Sequence, residues 1–298
     1  MTVDAVAEFE RHRSKLFGLA YRMLGSAEEA EDVVQDTFLR WHQASTVESP
    51  WAWLAKVATN LCANRLASAR ARRESYVGCW LPEPVLTAGG ALGPLDSAEQ
   101  REFVSLAFLV LLERLNPSER AVFVLREAFD YSHREVAEVI DSSEANSRQL
   151  YTRARRRLAE ARGGSARRAG QACPRALVES FLAAAEQGDL PGLEKVLAED
   201  VTVWVDGGGR VGAARRPISG VSQVARYLVG SSSIAGQGVR LSAAEVNGAL
   251  GLLAWAGEEL VGVLVPETSG GRISGIRIVA NPTNSGCHIP EAYPVLNG

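Results

Sequence analysis

The hydrophobic and polar positions change rhythm along the chain. Up to about residue 162 the apolar residues recur at helical spacing, and the helix starts carry recognisable caps. Ser26 with Glu29 three residues on forms a capping-box pattern, and Ser49 places a hydroxyl ahead of Pro50 at a first helical position. These signals predict helices over about 4–24, 26–43 and 50–70. From Gly78 to Pro94 the prolines at 82, 84 and 94 and the glycines at 78, 89, 90 and 93 exclude a helix and predict a linker. Helices resume at Asp96 or Ser97, at Asn116-Pro117 with Glu119, at Ser132 with Glu135, and at Ser143, the last running to Gly163-Gly164.

The two helices around 132–140 and 143–163 are separated only by Asp141 to Ser143. A short helix, a tight turn and a longer basic helix predict a helix-turn-helix. Val136, Val139 and Ile140 supply a packing face, and Leu150, Ala154 and Leu158 form a stripe at i, i+4 and i+8. Arg148, Gln149 and Arg153 fall off that stripe and face outward.

Beyond Cys173 the rhythm shifts. Two short helices, about 174–187 and 191–198, precede a strand-like Val201–Val205 and a turn at Gly207 to Gly209. A helix over 222–229 follows, then β-like runs at 239–246, 250–256, 260–266 and 273–279. Helices followed by hairpins predict an α+β domain whose curved sheet wraps a helix layer.

Composition changes this picture in two ways. With 46% hydrophobic and 22% charged residues over 298 positions, the chain is ordinary for a soluble protein of several small domains. No apolar run approaches a membrane span and the N-terminus lacks a secretory signal, so a cytoplasmic location is expected. The formal charge of −3 is strongly segregated. Between Ser143 and Arg168 stand Arg148, Arg153, Arg155, Arg156, Arg157, Arg162, Arg167 and Arg168 against only Glu144 and Glu160, whereas Glu28 to Asp36 holds acids and no base. The first segment suits phosphate and the second repels it. Cys62, Cys79, Cys173 and Cys287 have no metal-ligand or disulfide spacing, and they receive no role.

Arginine pairs bidentately with guanine and glutamine with adenine, so Arg148, Gln149 and Arg153 are base-reading candidates; Arg155, Arg156 and Arg157 are expected to hold phosphates. Trp51 and Trp53 beside Arg65 could stack single-stranded bases, although at least one tryptophan is expected to serve the core.

The segments AEDVVQDTFLRWH, PWAWLAKVATNLCANRL and LNPSERAVFVLREAFDYSHREVAEVIDSSEANSRQLYTRARRRL resemble regions 2 and 4 of the extracytoplasmic-function sigma factors, over about residues 5–162. The resemblance implies that the helix with Asp32, Val33, Val34, Gln35, Asp36 and Phe38 docks on core RNA polymerase, through its beta and beta-prime subunits. It implies that the loop over 43–49 with Trp51, Trp53, Asn60, Asn64 and Arg65 serves the −10 element. It assigns the −35 element to Ser143, Arg148, Gln149, Arg153 and Arg156, and it leads the linker toward the RNA exit path.

Gln187 to Leu190 and Asp200 to Arg210 resemble a SnoaL-like domain of the NTF2-like superfamily, an α+β cone with an interior pocket. Sigma factors so extended form the SigJ-like subgroup. Its marks stand here as Trp80-Leu81-Pro82-Glu83-Pro84 and Asp206-Gly207-Gly208-Gly209-Arg210, expected to meet as a regulatory contact; a third is half kept as Asn281-Pro-Thr-Asn.

The expected fold is therefore two all-α sigma domains, a region 2 bundle and a region 4 helix-turn-helix, plus an α+β NTF2-like cone. The expected boundaries are 1–76, linker 77–95, 96–164, linker 165–172, 173–290 and a tail 291–298. Asp206, Glu245 and Glu267 are the acids an enzyme in the extension could use. Beside glycines, Asp206 reads as a turn residue, and no catalysis, cofactor or metal is expected. A small ligand in the pocket stays open. The competing readings are a polymerase-independent helix-turn-helix regulator with a ligand-sensing domain, its residues 1–75 dimerising, and a SnoaL-type enzyme with a helical appendage.

Overall fold

The computed structural model describes residues 3–280 apart from 45–46, 75–77, 89, 91, 93–94, 96, 164–170, 208–213 and 235–238. Contacts divide the chain into two units. Met1–Ser75, Gly90–Val104 and Phe108–Gly164 make the first, and Tyr76–Gly89, Ser105–Ala107 and Ser165–Gly298 the second.

The first unit is helical. It is built from α1 (Val3–Leu24), α2 (Ala27–Gln43), α3 (Pro50–Glu74), α4 (Ala98–Glu102), α5 (Leu106–Leu112, whose first two residues belong to the second unit), α6 (Pro117–Phe129), α7 (His133–Val139) and α8 (Glu144–Gly163). The caps start these helices as expected. The Glu29 amide donates to Ser26 Oγ at 3.1 Å, and full capping boxes join Ser97 with Gln100, Asn116 with Glu119 and Ser132 with Glu135. Each such cap contributes about 0.5–2 kcal/mol. The single helix expected after Ser97 is two helices, because the chain turns at Phe103 and α5 begins again at Leu106.

α1, α2 and α3 pack together through Leu16, Leu19, Ala20, Met23, Val33, Val34, Leu54, Ala58 and Cys62, all buried. Burial pushes the Cys62 thiol well up, so it stays a protonated, inert core group. α6, α7 and α8 pack through Val122, Leu125, Val136, Val139, Leu150, Ala154 and Leu158. Asp141 turns the chain between α7 and α8 with φ 50°, a left-handed conformation that Asp tolerates better than most side chains.

The second unit contains β1 (Gln171–Ala172), α9 (Arg175–Glu186), α10 (Leu190–Val196), β2 (Leu197–Asp206), β3 (Ile218–Ser219), α11 (Val221–Ile234), β4 (Val239–Val246), β5 (Ala249–Ala256), β6 (Glu259–Ser269) and β7 (Arg272–Val279). The strands lie in the order β3-β2-β7-β6-β5-β4, with β1 beside β6; β2 and β7 run parallel and the other pairs antiparallel. Alternation along each strand gives the sheet two apolar faces. On one, Val203, Val205, Leu252 and Ile276 pack against Val178 and Phe181 of α9, Leu193 of α10 and Val224 and Leu228 of α11. On the other, Val246, Leu253, Val263 and Val265 pack against Leu86 and Leu106.

Leu86 comes from the expected linker. Residues Leu81 to Thr87 are all buried, and Leu86 pairs antiparallel with Val246 at the free edge of β4. The Thr87 amide donates to the Glu245 carbonyl at 3.1 Å, and the Asn247 amide to the Val85 carbonyl at 2.9 Å. Pro82 and Pro84 exclude a helix here, but an edge strand tolerates missing N–H groups. The stretch expected as a linker is thus partly an edge strand of the C-terminal domain, a short strap across its sheet. Gln171–Ala172, expected as linker too, is a strand.

Candidate functional site

Four surfaces carry the chemistry expected from the sequence. On α8, Ser147, Leu150, Ala154 and Leu158 point into the fold, and Ser143, Arg148, Gln149, Arg153, Arg155 and Arg156 are exposed. Arg148 pairs with Glu144 one turn back, and Arg156 with Glu160 at 3.6 Å. Such exposed pairs are worth 1 kcal/mol or less and yield readily to a phosphate or a guanine. Arg157 differs from the expectation for a phosphate ligand. Its Nη1 donates at 2.7 Å to Glu119, whose side chain is buried, so it serves to neutralise that carboxylate.

On α2, Val33 and Val34 are fully buried and Phe38 stacks edge-on with Phe9, ring centroids 5.0 Å apart. The two valines, expected on the docking face, are instead packed inward with the core of α1 and α3. Asp32, Gln35, Asp36 and Leu39 lie at i, i+3, i+4 and i+7 on the opposite side, with Leu39 54% exposed. Leu39 was missed in the sequence. An apolar residue on the polar stripe of an amphipathic helix is the signal that marks it.

On α3, Trp53, Asn60 and Asn64 share one side at i, i+7 and i+11. Trp53 rests against Trp41, with ring centroids 5.6 Å apart, so both tryptophans of α3 are half-buried. Trp51 points elsewhere, toward His12, Lys15 and Phe129. Arg65 is not brought together with either tryptophan. Its guanidinium forks between Asp32 at 3.0 Å and Asp36 at 2.9 Å, tying α3 to the acidic side of α2.

The fourth surface is the seat of the strap. Asp206 is the last residue of β2 and completely buried, where a turn residue was expected; its Oδ2 accepts the Leu81 amide at 2.9 Å. The strand carries it under the strap before the glycines begin. Asn247 Oδ1 accepts the Val85 amide at 2.9 Å, and Thr87 Oγ1 donates to Glu245 at 2.8 Å while accepting the Gly248 amide at 3.0 Å. Asn247 was not singled out in the sequence. Its left-handed φ of 50°, followed by Gly248 at 72°, is that of a tight hairpin, and the same geometry aims its carbonyl at the strap. Trp80, Pro82, Glu83 and Pro84 belong to the same segment, Glu83 itself being buried. Gly208, Gly209 and Arg210, and the Asn281 motif, lie outside the described residues.

Beside the strap's seat, Arg277 pairs with Glu267, both buried, and lies over the Trp204 ring at 4.7 Å. The three acids available for catalysis are thus each engaged: Asp206 with Leu81, Glu245 with Thr87, Glu267 with Arg277. Among the described residues there is no cluster of metal ligands and no helix long and apolar enough to cross a membrane.

Sequence comparison finds Sigma-70 region 2 over residues 9–72 and Sigma-70 region 4 over residues 105–158. The ECF RNA polymerase sigma factor SigJ of Mycobacterium tuberculosis strain H37Rv is 40% identical over 251 residues, 83% of this chain and 80% of that protein. A probable ECF RNA polymerase sigma factor, SigI, of the same species is 32% identical over 284 residues, 93% of each. The crystal structure of M. tuberculosis SigJ superposes with a TM-score of 0.72 at 32% identity, covering 94% of this chain and 97% of that one. The two helical segments, the α+β extension behind them and these relatives agree, and the chain belongs to the extracytoplasmic-function sigma factors of RNA polymerase.

Proposed function

We propose that this sigma factor distributes its work over the surfaces described above and is controlled in cis by its extension. Asp32, Gln35, Asp36 and Leu39 form the face for core polymerase, with an apolar anchor inside an acidic rim. Trp51, Trp53, Asn60 and Asn64 serve the −10 element. Ser143, Arg148, Gln149, Arg153 and Arg156 serve the −35 element, the outward N-terminal half of α8 being the part that enters a major groove. The extension binds rather than catalyses, since each acid it could use already holds a partner.

The observation that carries cis control is the run of buried residues from Leu81 to Thr87, hydrogen-bonded at both ends to the extension. A strap held as an edge strand is unavailable to any other groove. Occupancy of the strap by the sheet therefore sets how freely the two sigma regions are connected. Run-off transcription with purified core enzyme tests this, comparing the full chain with one ended after residue 169 and with Asp206→Ala. Altered activity or promoter choice in both variants is expected; the same transcripts in the same amounts from all three sink the proposal of cis control.

A further inference from the structure

A cavity of about 570 Å³ lies within the first unit, a volume suited to a small organic ligand. Its walls come from α1, the start of α3, the end of α6 and α7. The aromatic part of the wall is already engaged. Trp51 has Lys15 Nζ 4.2 Å from its ring centroid and Phe129 stacked at 5.9 Å, and Trp53 has its edge contact with Trp41. A flat ring gains little by entering, whereas methylenes can pack against Ala52, Trp53 and Val139.

The charge of the wall is unbalanced. Both of its lysines are engaged, Lys15 over Trp51 and in the field of Asp130, and Lys56 in an ion pair with Asp141. Glu135 and Glu138 lie one turn apart on α7 and form no ion pair among the described residues. Glu135 caps the helix by accepting the Ser132 amide at 2.7 Å, a neutral partner that leaves its charge uncancelled. Tyr131, also in the wall, is 8% exposed, and its hydroxyl finds no hydrogen-bond partner among the described residues. Burial pushes that phenol up to about 12, so it remains a neutral hydroxyl able to accept an N–H.

We propose that this cavity binds a linear polyamine, an aliphatic chain bearing ammonium groups. Its ammoniums answer Glu135, Glu138 and the Tyr131 hydroxyl, and its methylenes lie along Ala52, Trp53 and Val139. The class follows from the wall. An anion would meet two uncompensated carboxylates, and a planar ring would find Trp51 taken. Because the walls belong to four helices, an occupant favours their present arrangement over any in which they separate. The helical unit thereby has an input of its own, independent of the extension and of any protein partner.

The test dialyses the full chain against radiolabelled spermidine and follows its thermal unfolding with and without the same probe. Saturable binding of one equivalent is expected, with an unfolding midpoint that rises with spermidine concentration, because a ligand that meets only the folded unit stabilises it. Glu135→Gln with Glu138→Gln preserves the α7 cap, which glutamine also makes. The pair is expected to weaken binding by about tenfold or more, the effect of losing hydrogen bonds to charged groups. Tyr131→Phe removes a hydroxyl that holds no partner within the fold, so it should keep the midpoint without spermidine and weaken binding by about twofold to tenfold, one hydrogen bond. Glu179→Gln with Glu186→Gln, on the exposed side of α9, measures simple attraction of a polycation to surface acids and is expected to bind as the parent does. No saturable binding, or equal losses in the two glutamine pairs, overturns the proposal. So does displacement of spermidine by magnesium ions as effectively as by the same concentration of putrescine, since that is counterion attraction alone.

Discussion

Single side chains separate the arginines of α8 into two kinds. Arg148 is exposed at the N-terminal end of the helix, and its loss should cost initiation from −35-dependent promoters about 1–3 kcal/mol, one base contact. Equal loss on promoters with and without a −35 element would contradict base reading there. Arg157 is 45% exposed but reaches back to the buried Glu119, so Arg157→Ala should leave promoter choice alone and lower stability instead, because the Glu119 carboxylate then keeps only the Asn116 amide of its capping box. Denaturant unfolding followed at the tyrosine and tryptophan signals distinguishes the two. Asp206 is a third kind. Removing its carboxylate leaves the Leu81 amide buried without an acceptor, at a cost of about 1–3 kcal/mol. Hydrogen exchange should then quicken at Leu81 and along Val85 to Thr87 while α1 to α3 keep their protection; uniform slow exchange over the strap would show that Asp206 is not its pin.

At the level of elements, α2 gives the clearest case. Its exposed stripe ends in Leu39, and Leu39→Asp should weaken capture of core polymerase, about 1.5–3 kcal/mol being typical for burying such a side chain, without unfolding a helix whose core is Val33 and Val34. Co-purification with core enzyme and circular dichroism together check this. The same helix shows what was legible in the sequence. Caps such as Ser26, Asn116 and Ser132 are local, so the helices and the helix-turn-helix could be read directly, and the hairpin strands announced themselves as β-like runs between turns. The inward turn of Val33 and Val34 was also written in the helical period. The pairing of Leu86 with Val246 was not, since neither segment carries a mark of a partner so far along the chain. For the same reason Asp206 read as a turn residue, and the ion pairs of Arg65 with Asp32 and Asp36 and of Arg157 with Glu119 went unread. Charge in a sequence tells what a side chain can bind, while the partner it finds is decided by tertiary packing.

On the scale of the whole molecule, the strap means that the C-terminal domain does not begin where its own composition begins. The second unit takes Tyr76–Gly89 from one side of region 4 and Ser165–Gly298 from the other. Region 4 is an insertion within another domain's fold, and its two ends are anchored in that fold. The strap leaves the ribosome well before β4, to whose edge it pairs. At ordinary elongation speeds of about 5–20 residues per second, the gap is on the order of ten to thirty seconds. During that interval regions 2 and 4 can both fold, while Leu81, Val85 and Leu86 wait as an unpaired apolar edge. A nascent chain of this sigma factor therefore passes through a stage in which its promoter-reading parts exist before their tether is fixed, and only completion of the last hairpins closes the molecule.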